Sequence, residues 1–229
     1  MSERPDPVTR AEPEAPATGM GAVLRESEFS AADAVGGWRG VLESVLPTLV
    51  FVVLFVTTGD LRIPAIAAIA VCAVAVLARL VQRQNVGSAL GGLIGVAIGA
   101  VWAMRSGSGS DFYLPGILIN AATFVVLVLS ILVRRPLVAL IAGVFDPRVA
   151  DWAQDRDAVR TYRRGTWLLA ALYGVKGAVQ LILWQSGAVA ALGIVKLVMG
   201  LPLFALVVWV IWLMHRALLH RRGDVTDRR

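Results

Sequence analysis

The chain has 229 residues, 57% of them hydrophobic, and a mean hydropathy of +0.71. That is too apolar for a soluble domain that must wet its whole surface, so an ordinary water-soluble globule is excluded. The net charge of +6 would suit nucleic acid in a soluble protein. Here the arginines sit at the ends of apolar runs rather than in one aromatic-studded patch, and no nucleic-acid partner is expected.

Residues 1–35 are rich in Pro, Glu and Ala with an acidic balance (Glu3, Asp6, Glu12, Glu14, Glu26, Glu28). They cannot bury enough apolar area to offset their ordering entropy, which predicts a disordered acidic cytoplasmic tail. No basic stretch leads into a short apolar one, so the first span is expected to act as its own uncleaved insertion signal. Residues 36–216 then read as one transmembrane domain and 217–229 as a basic cytoplasmic tail.

Crossing a bilayer takes roughly 20 apolar residues, within about 17 to 25. Leu42–Thr58, Ile63–Val81, Ser88–Met104, Phe112–Val133, Thr166–Gln185 and Ala188–Met214 all fit. The expected fold is an all-α integral membrane protein: a six-transmembrane-helix bundle arranged as three helical hairpins, because alternate connectors are short. Arginines flank the first span, follow the second, fill residues 134–165 and follow the sixth. The opposite connectors hold only Arg62 and Arg105. Positive residues stay inside during insertion, which predicts both termini in the cytoplasm.

The second span holds Cys72, the sole cysteine; it forms no intramolecular disulfide and reads as an inert buried thiol. The third carries Gly87, Gly91, Gly95 and Gly99, all on one helical face. Such a face lets another helix approach closely, from the same chain or from a second copy in a homo-oligomer.

Four polar side chains fall at membrane depth: Asn120 in the fourth span, Lys176 and Gln180 one turn apart in the fifth, and Lys196 in the sixth. A charge at a helix centre costs roughly 2.5–3.5 kcal/mol on insertion scales, so the lysines should face the bundle. Asp111 and Asp60 are the candidate counter-ions, with Glu43 at the opposite end. Two readings stand. One is a set of internal ion pairs and hydrogen bonds fixing helix register. The other is a cationic pocket for an anionic solute or lipid headgroup. Lys196 could also snorkel outward.

Residues 134–165 form a basic interfacial segment. Leu137–Phe145 is apolar but too short to cross, so it lies in the interface or re-enters. Beyond it, Trp152, Val159 and Tyr162 recur at helical spacing among Arg156, Arg160, Arg163 and Arg164, which suits an amphipathic helix on anionic lipid headgroups. Asp146, Asp151, Asp155 and Asp157 alternate with arginines and read as a solvated face. His215 and His220 are five apart, off a shared helical face, so no metal site is expected. With no nucleophile, paired-carboxylate or cofactor signature, neither an enzyme nor a cofactor is expected.

Glu43 to Phe55 (E-S-V-L-P-T-L-V-F-V-V-L-F) resembles the first span of an uncharacterised actinobacterial family of six-helix membrane proteins, a domain of unknown function. Phe112 to Asn120 (F-Y-L-P-G-I-L-I-N), the R-R-P-L-V ending at Val138, Tyr162 to Trp184 with Gln180, and Ala191 to Pro202 with Lys196 extend the resemblance from Gly36 to His215. That family is more distantly similar to septation-protein-A-like inner-membrane proteins. The resemblance implies a bacterial plasma membrane and a role in the cell envelope, and it carries over no catalytic residue. The functional expectation is a non-enzymatic scaffold or envelope-maintenance protein working through membrane partner proteins. The alternative is a small transporter or channel using the cationic cluster.

Overall fold

The computed structural model describes residues 37–83 and 86–226. The acidic tail at 1–35 lies outside the described residues, as does the side chain of Glu43. Everything described is helix, turn or short connector, with no strand among the described residues.

Helix α1 (Gly37–Thr58) turns at Gly59 into α2 (Arg62–Val81). Helix α2 buries Pro64, Ala65, Ala68, Cys72 and Val76, a three-to-four-residue rhythm that defines one inward face. Its Ile66, Val74 and Leu77 stay more than half exposed. An apolar outer face of that kind is what hydrocarbon solvates. Helix α3 (Gly87–Ser106) stops at Gly107. There the backbone adopts φ +75° and the N–H donates to the Ala103 carbonyl at 2.9 Å, a left-handed closure that glycine allows without a steric penalty.

A 3-10 turn (Gly109–Tyr113) leads into α4 (Leu114–Leu132), with Pro115 in the first turn, where no N–H is needed. The short helix α5 (Leu137–Phe145) packs on α6 (Arg156–Gln185) and buries Val138, Ala139 and Ala142. Helix α6 is one unbroken 30-residue rod, capped at its start by Asp155, whose side chain accepts from the Asp157 N–H at 2.8 Å. The arginine-bearing stretch 156–164 is therefore the lower end of the fifth apolar helix and not a separate helix laid on the surface. Pairing Asp155 with the first turn continues the rod where the sequence pattern alone suggested a new element.

The sixth apolar run is broken. It forms α7 (Val189–Val198) and α8 (Leu201–Thr226), parted at Met199 and Gly200. Pro202 has no N–H to offer the Val198 carbonyl, and a side chain at Gly200 would collide with the Lys196 carbonyl. The unbroken span expected there is thus replaced by two half-helices. Helix α8 also continues through residues 217–226, past the expected start of a tail, because Leu218 is buried and Arg222 is bonded to the connector before α6.

Five of the described helical stretches are long and apolar enough to cross a membrane, counting the broken run as one; Val45–Thr58 is apolar but shorter. Consecutive helices α1, α2 and α3 pack in series, yet the most extensive interface joins α4 to α6. Packing is therefore not confined within the pairs that short connectors suggested. Two clusters form the interior. One gathers Leu127, Val138, Tyr162, Leu169 and Ile211. The other gathers Phe51, Ala65, Ala100, Phe112 and Leu192, with the Phe51 and Phe112 rings stacked at 3.7 Å.

The glycine face of α3 divides. A Cβ at Gly99 would strike the Phe112 carbonyl, whereas at Gly91 and Gly95 it would meet nothing within 4 Å. Close packing within the chain is concentrated at Gly99, because the turn at Gly109–Tyr113 crosses there. Gly99→Val is expected to cost about 1–3 kcal/mol by overpacking, and Gly91→Val close to nothing. Denaturation of the two purified variants in detergent measures the contrast.

Candidate functional site

The membrane-depth polar residues separate into three groups. Asn120 on α4 donates through Nδ2 to Oε1 of Gln180 on α6 at 2.7 Å, and both side chains are buried. That bond satisfies an amide pair that would otherwise be costly in an apolar interior. Asp111, expected as a lysine counter-ion, instead accepts from Trp184 Nε1 at 2.7 Å. Asp60 caps its own turn through the Arg62 N–H at 3.1 Å. Asp111 is thus taken up by the Trp184 indole and Asp60 by its own turn, and among the described residues neither is paired with a lysine.

The third group is Lys176 and Lys196. They line one cavity of about 300 Å³ among α1, α6, α7 and α8. Val45, Thr48, Leu172, Tyr173 and Phe204 complete most of its wall, and among the described residues no carboxylate lines it. Among the described residues neither ammonium has a carboxylate partner. Lys196 Nζ lies 5.7 Å from the Phe112 ring centroid and 5.5 Å from that of Tyr113. Those aromatic faces give the cation partial compensation. Gly200 and Leu201 also line the cavity, so the positive end of α8 adds to the field of two cations. The break in the sixth run places that helix end beside the lysines.

Sequence reading missed a second buried polar network, at the arginine-rich end. Asp146, expected on a solvated face, is only 2% exposed. It accepts from the Arg148 Nε and Nη2 at 2.9 Å each and from the Arg148 N–H at 3.0 Å. His215 Nε2 lies 3.1 Å from Asp146, and His215 Nδ1 lies 2.9 Å from the Tyr162 hydroxyl. With Asp146 ionised, Nε2–H donates to the carboxylate, leaving Nδ1 to accept from the tyrosine. This orientation joins the α5–α6 connector, α6 and α8 through one imidazole. Alongside, Arg222 bonds Asp155 at 2.8 and 3.0 Å, Asp151 at 3.0 Å and the Arg148 carbonyl at 2.8 Å. Apart from Asp146 with Arg148, no local spacing announces these partners, which are 53 to 74 residues apart. Among the described residues, no group of His, Cys, Asp and Glu could hold a metal ion.

Burial alone would raise the Asp146 carboxyl, but the Arg148 hydrogen bonds and charge outweigh it and hold the group below its ordinary 3.8. Asp155 is lowered likewise: Arg222 and the amides of Asp157 and Ala158 overcome the effect of burial. A carboxyl lowered on folding stabilises the fold above its unfolded pKa, and the gain disappears as pH falls through the folded value. The contribution of these two carboxylates is therefore expected to be lost below about pH 3.8, read from Trp152 fluorescence. Asp146→Asn should cost about 1–3 kcal/mol by leaving buried donors poorly satisfied and flatten that acid dependence.

No curated protein and no solved structure matches the chain. Residues 35–222 match the family described as Protein of unknown function (DUF3159). That match spans both half-helices, the two lysines and the buried histidine network. The chain belongs to this family of unknown function.

Proposed function

We propose that this is a membrane protein that binds an anion between Lys176 and Lys196 and acts as a small transporter or channel for it. The observation that carries this reading is the shared cavity: two cations line it and, among the described residues, no carboxylate does. Two like charges at apolar depth repel and lack solvent, so an incoming anion removes both penalties at once. The half-helices meeting at Met199 and Gly200 support the same reading, because helix ends at membrane depth are tolerated where they line a cavity.

The chain crosses the plasma membrane of a bacterium six times, Gly37–Thr58 included, as three hairpins with both termini cytoplasmic. The arginine bias supports that orientation. Arg156, Arg160, Arg163 and Arg164 rest against anionic headgroups at the inner face; Arg156, Arg163 and Arg164 are all exposed. The protein is not an enzyme, and binding rather than bond-making is its chemistry.

The second reading is a scaffold for envelope maintenance, acting through a homo-oligomer or partner membrane proteins. The paired groups favour it: Asn120 with Gln180, Asp111 with Trp184, and Asp146 with His215 are structural bonds. The resemblance to septation-protein-A-like proteins points the same way.

Lys176→Met and Lys196→Met should each weaken binding of dodecyl phosphate to the purified protein at least about tenfold, leaving tryptophan fluorescence unchanged. Calorimetric titration in a non-ionic detergent measures it. Undiminished binding would remove the anion reading. Loss of the fold in both Lys→Met variants, with no dodecyl phosphate bound by the unmodified protein, would favour the scaffold. Sidedness tags at both termini and before Asp111 test the topology: termini inside, Ser108 outside.

A further inference from the structure

A second cavity of about 250 Å³ is lined by residues of α1, α2, α3, α4 and α7. Its wall includes Cys72, Gly91, Gly95, Phe112 and Ile119. Thr48 and Lys196 line both cavities. Among the described residues, Lys196 is thus the one charged residue common to the two and the only one in the wall of the second. Gly91 and Ile119 are exposed on the outer face of the bundle, Ile119 at 61%. The second cavity therefore opens sideways, between α3 and α4, towards the surrounding hydrocarbon.

We infer that the anion bound between the lysines is the headgroup of an acidic lipid, whose acyl chain leaves through the side opening between α3 and α4. This rests on the anion reading and narrows its ligand class. The charge pattern sets the orientation. A headgroup cannot lie bare in hydrocarbon, so it takes the chamber with two ammonium groups. An acyl chain loses nothing by lying against apolar walls, since those walls and neighbouring lipid are equally apolar. A free inorganic anion would use only the first chamber and leave the lateral one without a role. The open space over Gly91 and Gly95 accounts for the glycines that no helix covers: a side chain there would occupy the path of the chain.

The test uses the full-length protein in phosphatidylcholine nanodiscs doped with phosphatidic acid, with retained lipid read by native mass spectrometry. Inorganic phosphate is the competing free anion. Gly95→Leu, which fills the lateral chamber, should lower phosphatidic acid retention at least about tenfold, while Gly95→Ala retains it. Inorganic phosphate should displace the lipid weakly from the unmodified protein. Equal retention by Gly95→Leu, or phosphate binding as tightly as the lipid in both proteins, would overturn the lipid assignment and leave the anion site standing. Binding of neither probe would remove the anion reading itself, and this one with it.

Discussion

An ammonium group inside hydrocarbon must be compensated, and the architecture around α7 and α8 follows from that requirement. Lys196 is set against two aromatic faces, and Lys176 faces the same cavity from α6. The sixth apolar run is interrupted beside that cavity, at Met199 and Gly200. Gly200 and Pro202 make the unwinding possible, because one bears no side chain against the Lys196 carbonyl and the other offers no N–H. A continuous helix through Met199 would have kept its backbone saturated and brought no helix end to the cavity.

The opposite end of the bundle solves a different problem. There the connector between α5 and α6 must be held against α8 without a long apolar face. One imidazole does this by meeting a carboxylate and a phenol at once, with Arg222 closing a second contact to Asp151 and Asp155. Low dielectric strengthens each of these bonds and penalises any that is left unmade. The result is a fixed base from which α6 rises unbroken, so that Gln180 is delivered to Asn120 and Lys176 to the cavity on one rod.

Much of this was legible in the residues. The apolar runs, the arginine bias, the inward demand on Lys176 and Lys196, and the shared face of Lys176 and Gln180 all follow from helical periodicity and lipid solvation. The pairing of Gln180 with Asn120 was not, since it depends on α4 lying against α6 rather than against its neighbour in sequence. Asp111 and Asp60 looked like counter-ions because depth alone was available; the Trp184 indole took the first and its own turn the second. His215 looked ordinary because its partners are Tyr162 and Asp146, far away along the chain. The four-residue glycine period was read as one packing face, but only at Gly99 does a turn press against it.

By itself the sequence determined the solvent: lengths and hydropathy oblige most of this chain to live in lipid, with its helices carrying their own backbone bonds. Only the tertiary structure decided which polar groups meet. Helical spacing fixes the face a side chain shares with its own helix, whereas the distance from Lys176 to Lys196, or from His215 to Asp146, depends on how separate helices cross. Those crossings are set by packing across the whole bundle, which no local pattern records.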